Sequence, residues 1–330
     1  MQGLYLVTGA AGFVGEHLVR HLHSRGVAVR AMVRRTSQAA ALEPYAEVVV
    51  ADITQPDTLP QAMAGVSGIY HVAALFRQAG VPDAAFYDVN VAGVQNVFEA
   101  AITAGVPRIV HCSTNGVHSH IKDPPANESA PFNPGDLYQL SKIEGENIAM
   151  SYFGSGQIGG VVLRPTMIYG PGDTRTLKLF RMIARKNFFY VGNGLALTHW
   201  IDVRDLAEAF LLAMQADTIN AEAFLIGGDR YMTLKDTVQE ISRQLNVPEP
   251  SLHLPTGPVM ALAHATEWIC KPFGIEPPLF PRRVSFFLKN RAFDISKART
   301  ELGFAPKQDF SGEVADIIKD YFERGYLTLS

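Results

Sequence analysis

A short apolar run, Leu4–Thr8, ends directly in Thr8-Gly9-Ala10-Ala11-Gly12-Phe13-Val14-Gly15, and an amphipathic stretch begins at Glu16. Strand, glycine loop and helix in that order constrain this chain more than any other feature. One glycine makes the tight turn, another lets the backbone approach a pyrophosphate, and the last lets helix and strand pack closely. The helix N-terminus then offers unpaired N–H groups and a partial positive charge to phosphates. Gly9, Gly12, Phe13, Val14 and Gly15 are therefore expected to cradle a dinucleotide. His17, His21 and His23 follow at spacings that permit a metal, but no carboxylate or cysteine completes a site there. A solvent-facing helix flank is the expectation there.

The first 165 residues continue the same alternation. Strands are expected at Leu4–Thr8, Val27–Val33, Glu47–Ala51, Gly68–Ala73, Arg108–Ser113 and Gly160–Leu163, and helices at Gly12–Arg25, Pro56–Gly65, Ala84–Ala104 and Asp136–Phe153. Continuous apolar strands separated by helices imply a doubly wound parallel sheet, an α/β fold of the Rossmann type. After Leu163 proline and glycine become frequent and the helical spacing irregular, which implies a smaller C-terminal substrate lobe. The expected division is a dinucleotide-binding domain over 1–166 with 198–226 returning to it, Ile201 to Met214 supplying a strand and a helix. Residues 167–197 and 227–330 form the substrate-binding lobe.

Bulk properties exclude several classes. A net charge of -3 gives no reason to expect nucleic acid. The two cysteines, Cys112 and Cys270, rule out a disulfide scaffold and suit a reducing compartment. Cys112 lies in an apolar run and is expected to be a buried, inert thiol. No basic leader precedes the first strand and no apolar run is long enough to span a bilayer, so a cytoplasmic protein without a transmembrane segment is expected. Val259 to Ile269 reads as an amphipathic helix over a pocket.

The end of the second strand bears on cofactor choice. An NAD site usually places a carboxylate there for the ribose hydroxyls. Here it reads Val33-Arg34-Arg35. An arginine fork at Arg34 matches a 2′-phosphate, which favours NADP over NAD.

Tyr138-Gln139-Leu140-Ser141-Lys142 follows Asp136, a good N-cap, so Tyr138 and Lys142 share one helix face. A phenol with its ordinary pKa of ~10 is a poor base at neutral pH. A neighbouring ammonium favours the phenolate, which can then take a proton from a secondary alcohol or return it to a ketone.

Taken with Ala51-Asp52-Ile53, His71-Val72-Ala73-Ala74, Asn90 to Asn96, Ser113-Thr114, Arg164-Pro165 to Gly172 and Asp294 to Phe304, these stretches resemble the extended short-chain dehydrogenase/reductase superfamily over essentially the whole chain. The resemblance implies roles position by position. Asp52 and Ile53 hold the adenine. Ala73 and Ala74 line the cofactor through backbone, Asn90 lies near the nicotinamide ribose, and Pro165 lies against the carboxamide. Thr114 holds the reacting oxygen, with Ser113 the weaker candidate. A homodimer is implied through the helices around Ala84–Ala104 and Asp136–Phe153, where Val94, Val97, Ile148 and Met150 either form the seam or face the sheet.

Departures narrow the subclass. Asn115 and Gly116 stand where sugar dehydratases carry acids, so elimination has no evident catalyst. Thr198 replaces a diphosphate-clamping arginine and Phe76 a lysine, although Arg77, Arg175 or Arg181 offer substitutes. Pro277 to Leu279, Arg283, Phe286, Phe287 and Asn290 to Asp294 resemble 3β-hydroxysteroid dehydrogenase-like tails, and residues 29 to 34 resemble dihydroflavonol reductase-like members. Trp268, Phe273, Phe280 and Phe286 either line an apolar pocket or form ordinary core. His118 and His120 either meet substrate from the loop after Thr114 or, as the safer expectation, sit on a surface loop. The expected activity is hydride transfer to or from a secondary alcohol or ketone in a small-molecule, lipid-like or polycyclic substrate. The alternatives are a nucleotide-sugar epimerase and a non-catalytic dinucleotide sensor.

Overall fold

Side chains alternate across the first strand, β1 (Leu4–Thr8): Tyr5 and Val7 enter one apolar cluster, Leu6 the other. That two-sided burial is what a strand covered by helices on both faces requires. The computed structural model describes residues 3–76, 81–270 and 279–328. In it β1 is central to a seven-stranded parallel sheet with β2 (Ala28–Val33), β3 (Glu47–Val50), β4 (Val66–His71), β5 (Arg108–Cys112), β6 (Gly159–Pro165) and a late strand, Glu222–Ile226. Counted from one edge the order is β3-β2-β1-β4-β5-β6, with the late strand beyond β6. Connections run outward from β1 in both directions, so a crevice opens at the carboxyl ends of β1 and β4.

One face is covered by α1 (Phe13–Ser24), through Leu18, Val19 and Leu22. The other carries α2 (Leu59–Met63), α4 (Gly93–Thr103) and α5 (Leu137–Gly154), the last two through Val94, Val97, Phe98, Ala149 and Phe153. Full burial of each of the Val, Leu and Phe side chains contributes roughly 1.5–3 kcal/mol. Val94 and Val97 thus belong to the core of this layer. The helix expected over Ala84–Ala104 is broken: α3 (Asp83–Tyr87) passes through a wide π turn, Asp88–Ala92, before α4 begins.

After β6 come β7 (Met167–Tyr169), α6 (Leu177–Ala184), β8 (Tyr190–Val191), β9 (Leu197–Thr198), β10 (Trp200–Asp202) and α7 (Val203–Gln215). The late strand of the main sheet is β11. It is followed by β12 (Met232–Thr233), α8 (Leu234–Gln244), β13 (His253–Leu254), α9 (Thr256–Cys270), α10 (Pro281–Ser285), α11 (Ser296–Glu301) and α12 (Phe310–Glu323). Helix α7 packs on the sheet through Leu206 and Phe210, whereas β10 pairs with β7 in a separate ribbon. A second core joins Phe180, Trp200, Val238, Val314 and Tyr321.

One late segment crosses the molecule. Asn290 accepts at its carbonyl from the Ile121 N–H at 2.9 Å, Arg291 N–H donates to Leu197 O at 2.8 Å, and Ala126 N–H donates to Ala292 O at 3.1 Å. Among the described residues no helix is long and apolar enough to cross a membrane.

Candidate active site

The crevice is a cleft of ≈ 930 Å³. Gly9 starts its wall in the left-handed region, φ +67°, where only glycine is unstrained, and a Cβ there would come within 2.8 Å of the Ala73 backbone. At Gly15 a Cβ would land on the carbonyl oxygen of Gly9. The first bond of α1 is Glu16 N–H to Gly12 O at 2.8 Å, so the N–H groups of Phe13, Val14 and Gly15 precede the helical ladder. Thr8 was not foreseen in this role. Its Oγ1 accepts from Val72 and Ala73 N–H at 3.2 Å each and pairs with His71 Nδ1 at 2.8 Å, stitching the ends of β1 and β4 together.

Gly9, Gly12, Phe13, Val14, Gly15, Arg34, Asp52, Ile53, Ala73, Ala74, Thr114, Tyr138, Lys142 and Pro165 all line this one cleft. Arg34 is exposed at its rim beside Gln38. The Asp52 carboxylate accepts at Oδ1 from Thr54 N–H at 2.9 Å and from the Thr54 hydroxyl at 2.8 Å. Asn90 alone among the expected site residues stands behind the wall. It is buried, accepts from Leu75 N–H at 2.8 Å, and donates to Leu75 O at 3.1 Å and Ser141 Oγ at 3.0 Å. Asn90 therefore fixes the lining loop and α5 to each other instead of facing the crevice, and the π turn aims it there.

Helix α5 opens where Asp136 Oδ1 accepts the Gln139 N–H at 2.9 Å. Two residues on, Tyr138 is 8% exposed with its ring edge-on to Phe76, centroids 5.1 Å apart. Lys142, 2% exposed, donates from Nζ to the Cys112 carbonyl at 2.8 Å. Burial pushes the Lys142 pKa down, while Cys112 and the Glu146 carboxylate one turn on oppose that shift. Cys112 is buried, and burial pushes its thiol up to about 11, as an inert thiol requires.

Thr114 and Ser113 are separated by their partners. Thr114 Oγ1 accepts from Gly116 N–H at 3.0 Å as the cap of a short 3₁₀ turn, leaving its hydroxyl hydrogen to donate into the cleft. Ser113 Oγ instead donates to Glu146 Oε2 at 2.5 Å, and Glu146 Oε1 receives Arg164 Nε at 2.9 Å. A buried ion pair thus lies directly behind the wall.

Several expectations are corrected. His118 is buried, not on a surface loop: its Nδ1 meets Pro131 O at 3.3 Å and its Nε2 meets Arg164. His120 Nδ1 accepts from Asn290 N–H at 3.1 Å, and neither histidine lines the cleft. His17 and His21 are half-buried, donating to Pro171 O at 3.0 Å and pairing with Glu208 at 2.8 Å, because α7 covers that flank. Phe280 and Phe286 line the cleft, whereas Trp268 on α9 is 79% exposed; Phe273 and Arg77 lie outside the described residues. Thr198 is buried and donates to Met232 O at 3.2 Å, Arg181 donates to Tyr326 O at 3.0 Å, and Arg175 leans over the Phe13 ring at 4.9 Å. Gln139 and Lys289 also line the cleft and were not foreseen. Neither carries a local signal, since one is an ordinary helical residue and the other is far away in sequence.

A glycine loop at the switch point of a doubly wound sheet, with a buried lysine and a tyrosine on one helix facing the same cleft, defines an extended short-chain dehydrogenase/reductase. The profile of the NAD dependent epimerase/dehydratase family matches residues 5–227, and the chain belongs to that family. It is similar to sterol demethylase protein B of Methylococcus capsulatus, with 31% identity over 98% of this chain and 99% of that protein. A ketoreductase of Stigmatella aurantiaca for 4-hydroxy-2-methyl-3-oxo-4-farnesyl-3,4-dihydroquinoline-1-oxide is 30% identical over 91% of each chain. Among solved structures, that of gox2253 superposes with a TM-score of 0.84 at 31% identity, covering 99% of this chain and 100% of that one.

Proposed function

We propose that this enzyme is an NADP(H)-dependent dehydrogenase/reductase of a secondary alcohol or ketone in a lipid-like or polycyclic substrate. The observation that carries the reading is the convergence of Thr114, Tyr138 and Lys142 on the cleft floored by Gly9–Gly15. The residues present fit a dinucleotide: glycine at 9 and 15 lets strand, loop and helix pack backbone to backbone around the cradle, where a Cβ would collide, and three N–H groups open from α1. When bound, the nicotinamide supplies or accepts the hydride. Phe13, Val14 and Gly15 would hold pyrophosphate, Asp52 and Ile53 the adenine, and Ala73, Ala74 and Pro165 the nicotinamide end. Asn90 would act through the Leu75 loop.

The chain's own chemistry is proton movement. Thr114 donates its hydroxyl hydrogen to the reacting oxygen and fixes it beside Tyr138. Tyr138 takes the proton of the alcohol, or returns one to the ketone. The Lys142 ammonium, held by the Cys112 carbonyl, favours the phenolate by proximity of charge. In Tyr138→Phe, turnover is expected to fall about 10²-fold or more while dinucleotide affinity stays within about twofold. Near-wild-type turnover would remove the tyrosine from the chemistry.

Arg34, exposed at the rim with no carboxylate beside it on β2, supports NADP. Arg34→Ala is expected to weaken NADPH binding by about tenfold and NADH binding little, a charge-assisted contact being worth ~1.5–3 kcal/mol. Equal loss for both would assign Arg34 no part in cofactor choice. The apolar substrate class is supported by Phe280 and Phe286 in the cleft and by the names of the two relatives. In this reading 167–197 and 227–330 form the substrate lobe, and the protein works as a cytoplasmic homodimer. Purified protein that retains NAD(H) through gel filtration, and catalyses no net oxidation, would favour an epimerase instead.

A further inference from the structure

Helix α5 is tied to the end of β5 at two successive residues. Lys142 donates from Nζ to the Cys112 carbonyl at 2.8 Å, and Glu146, one turn on, accepts the Ser113 hydroxyl at 2.5 Å. Lys142 is 2% exposed and Glu146 1%. An ammonium at that depth has lost most of its hydration, and the loss penalises only the charged form. Burial therefore pushes Lys142 toward the neutral amine, while Cys112 and Glu146 push the other way. Cys112 can do so only as a thiolate, and burial keeps it a thiol up to about 11. At neutral pH the opposition rests with Glu146.

The remaining groups near Lys142 bring no negative charge of their own. His71 on β4 and His111 on β5 both feel the ammonium, and burial holds both imidazoles neutral. Tyr138, one turn earlier on α5, is the group the ammonium serves. Glu146 is fixed from a further strand. Arg164 of β6 donates from Nε and Nη2 to its Oε1, at 2.9 and 2.5 Å. Through Nη1 the same guanidinium reaches the Glu128 carbonyl at 3.0 Å and His118 Nε2 at 3.3 Å. Arg164 thus takes one carboxylate oxygen and Ser113 the other, and the charge of Glu146 acts on Lys142 through space. Between buried groups that attraction is only weakly screened. Glu146 stands behind the wall and lines no part of the cleft.

We propose that Glu146 is a positioning residue acting through Lys142: its fixed negative charge, one helical turn behind, keeps the buried amine an ammonium and so keeps a cation beside Tyr138. The purpose of this arrangement rests on the oxidoreductase function proposed above. The charge relation itself exists without cofactor or substrate, and it is measured without either.

The test is the titration of Lys142, followed by NMR of the full-length protein isotopically labelled at lysine Cε, with its signal identified by loss in Lys142→Arg. Glu146→Gln keeps the size of the side chain and removes the charge. The midpoint of Lys142 is expected to fall by about one pH unit or more. A merely structural role gives the opposite sign, because a loosened helix admits water and the midpoint rises toward the ordinary lysine value. Glu146→Gln leaves two buried cations without their anion, which threatens folding. In that event Arg164→Met is compared with the double variant Arg164→Met, Glu146→Gln, and the same fall is expected from the first to the second. An unchanged or raised midpoint in the folded comparison overturns the proposal. Turnover plays no part in this measurement, so full activity in Tyr138→Phe would count against the oxidoreductase reading and leave the Lys142 result standing.

Discussion

Ser113 and Thr114 are adjacent hydroxyls whose partners give them different tasks, and substitution should separate them. Thr114→Val is expected to lower kcat by about tenfold or more with little change in Tm, because its oxygen accepts from an N–H near solvent while its hydrogen serves the cleft. Ser113→Ala should leave Glu146 Oε2 without its donor in a buried setting and cost ~1–3 kcal/mol of stability, read by denaturant unfolding. The reverse pattern would interchange the two assignments. Tyr138, Lys142 and the glycines were legible in the sequence because each acts through a local spacing: a loop of fixed length, or one turn of helix. Asn90 was placed near the cofactor on resemblance, yet its amide is consumed by Leu75 and Ser141. Which way a buried amide points depends on partners fifteen and fifty-one residues away, and no local pattern encodes that.

At the scale of elements, the break between α3 and α4 shows the same limit. Hydrophobic period alone reads Ala84–Ala104 as one helix, but a π turn at Asp88–Ala92 adds a residue and brings the Asn90 carbonyl against α5. Gly145 is the complement of that turn. A Cβ there would land on the Asn90 carbonyl oxygen, so Gly145→Ala should push α5 off its neighbour despite alanine's better helix propensity. The expected loss is ~1–3 kcal/mol, accompanied by reduced turnover because Tyr138 and Lys142 ride on α5. A variant as stable as wild type would show that the two helices can separate freely. β11 was likewise hidden inside a range assigned only as returning chain. Its five residues, Glu222 to Ile226, are bounded by Asn220 and Gly227-Gly228, but the partner that makes them a sheet strand, β6, lies far back in sequence.

At the scale of the whole molecule, α12 is docked through a buried acid. Glu313 receives the Tyr169 hydroxyl and lies near Asp202 and Asp205, with Arg204 opposing them. Burial, relieved in part by the Tyr169 bond, raises its pKa from 4.5 to about 8. A carboxyl with a raised folded pKa holds its proton more tightly folded than unfolded. Its stabilising contribution is complete below about 4.5 and is lost as pH rises through about 8. Glu313→Gln keeps an acceptor for Tyr169 without that titration, so its Tm should decline less than that of wild type between pH 5 and 9. Parallel curves would remove Glu313 as a source of the decline.

The late segment that bonds to Ile121, Leu197 and Ala126 also has a temporal meaning. A chain leaving the ribosome can pair β1 to β6 and close the glycine loop long before Lys289, Asn290 and Arg291 emerge. Until they do, the loop holding Ser119 to Ala126 lacks its brace. Nascent or clipped molecules would therefore take up nucleotide before the neighbouring pocket is braced, so cofactor binding precedes completion of the substrate side of the cleft.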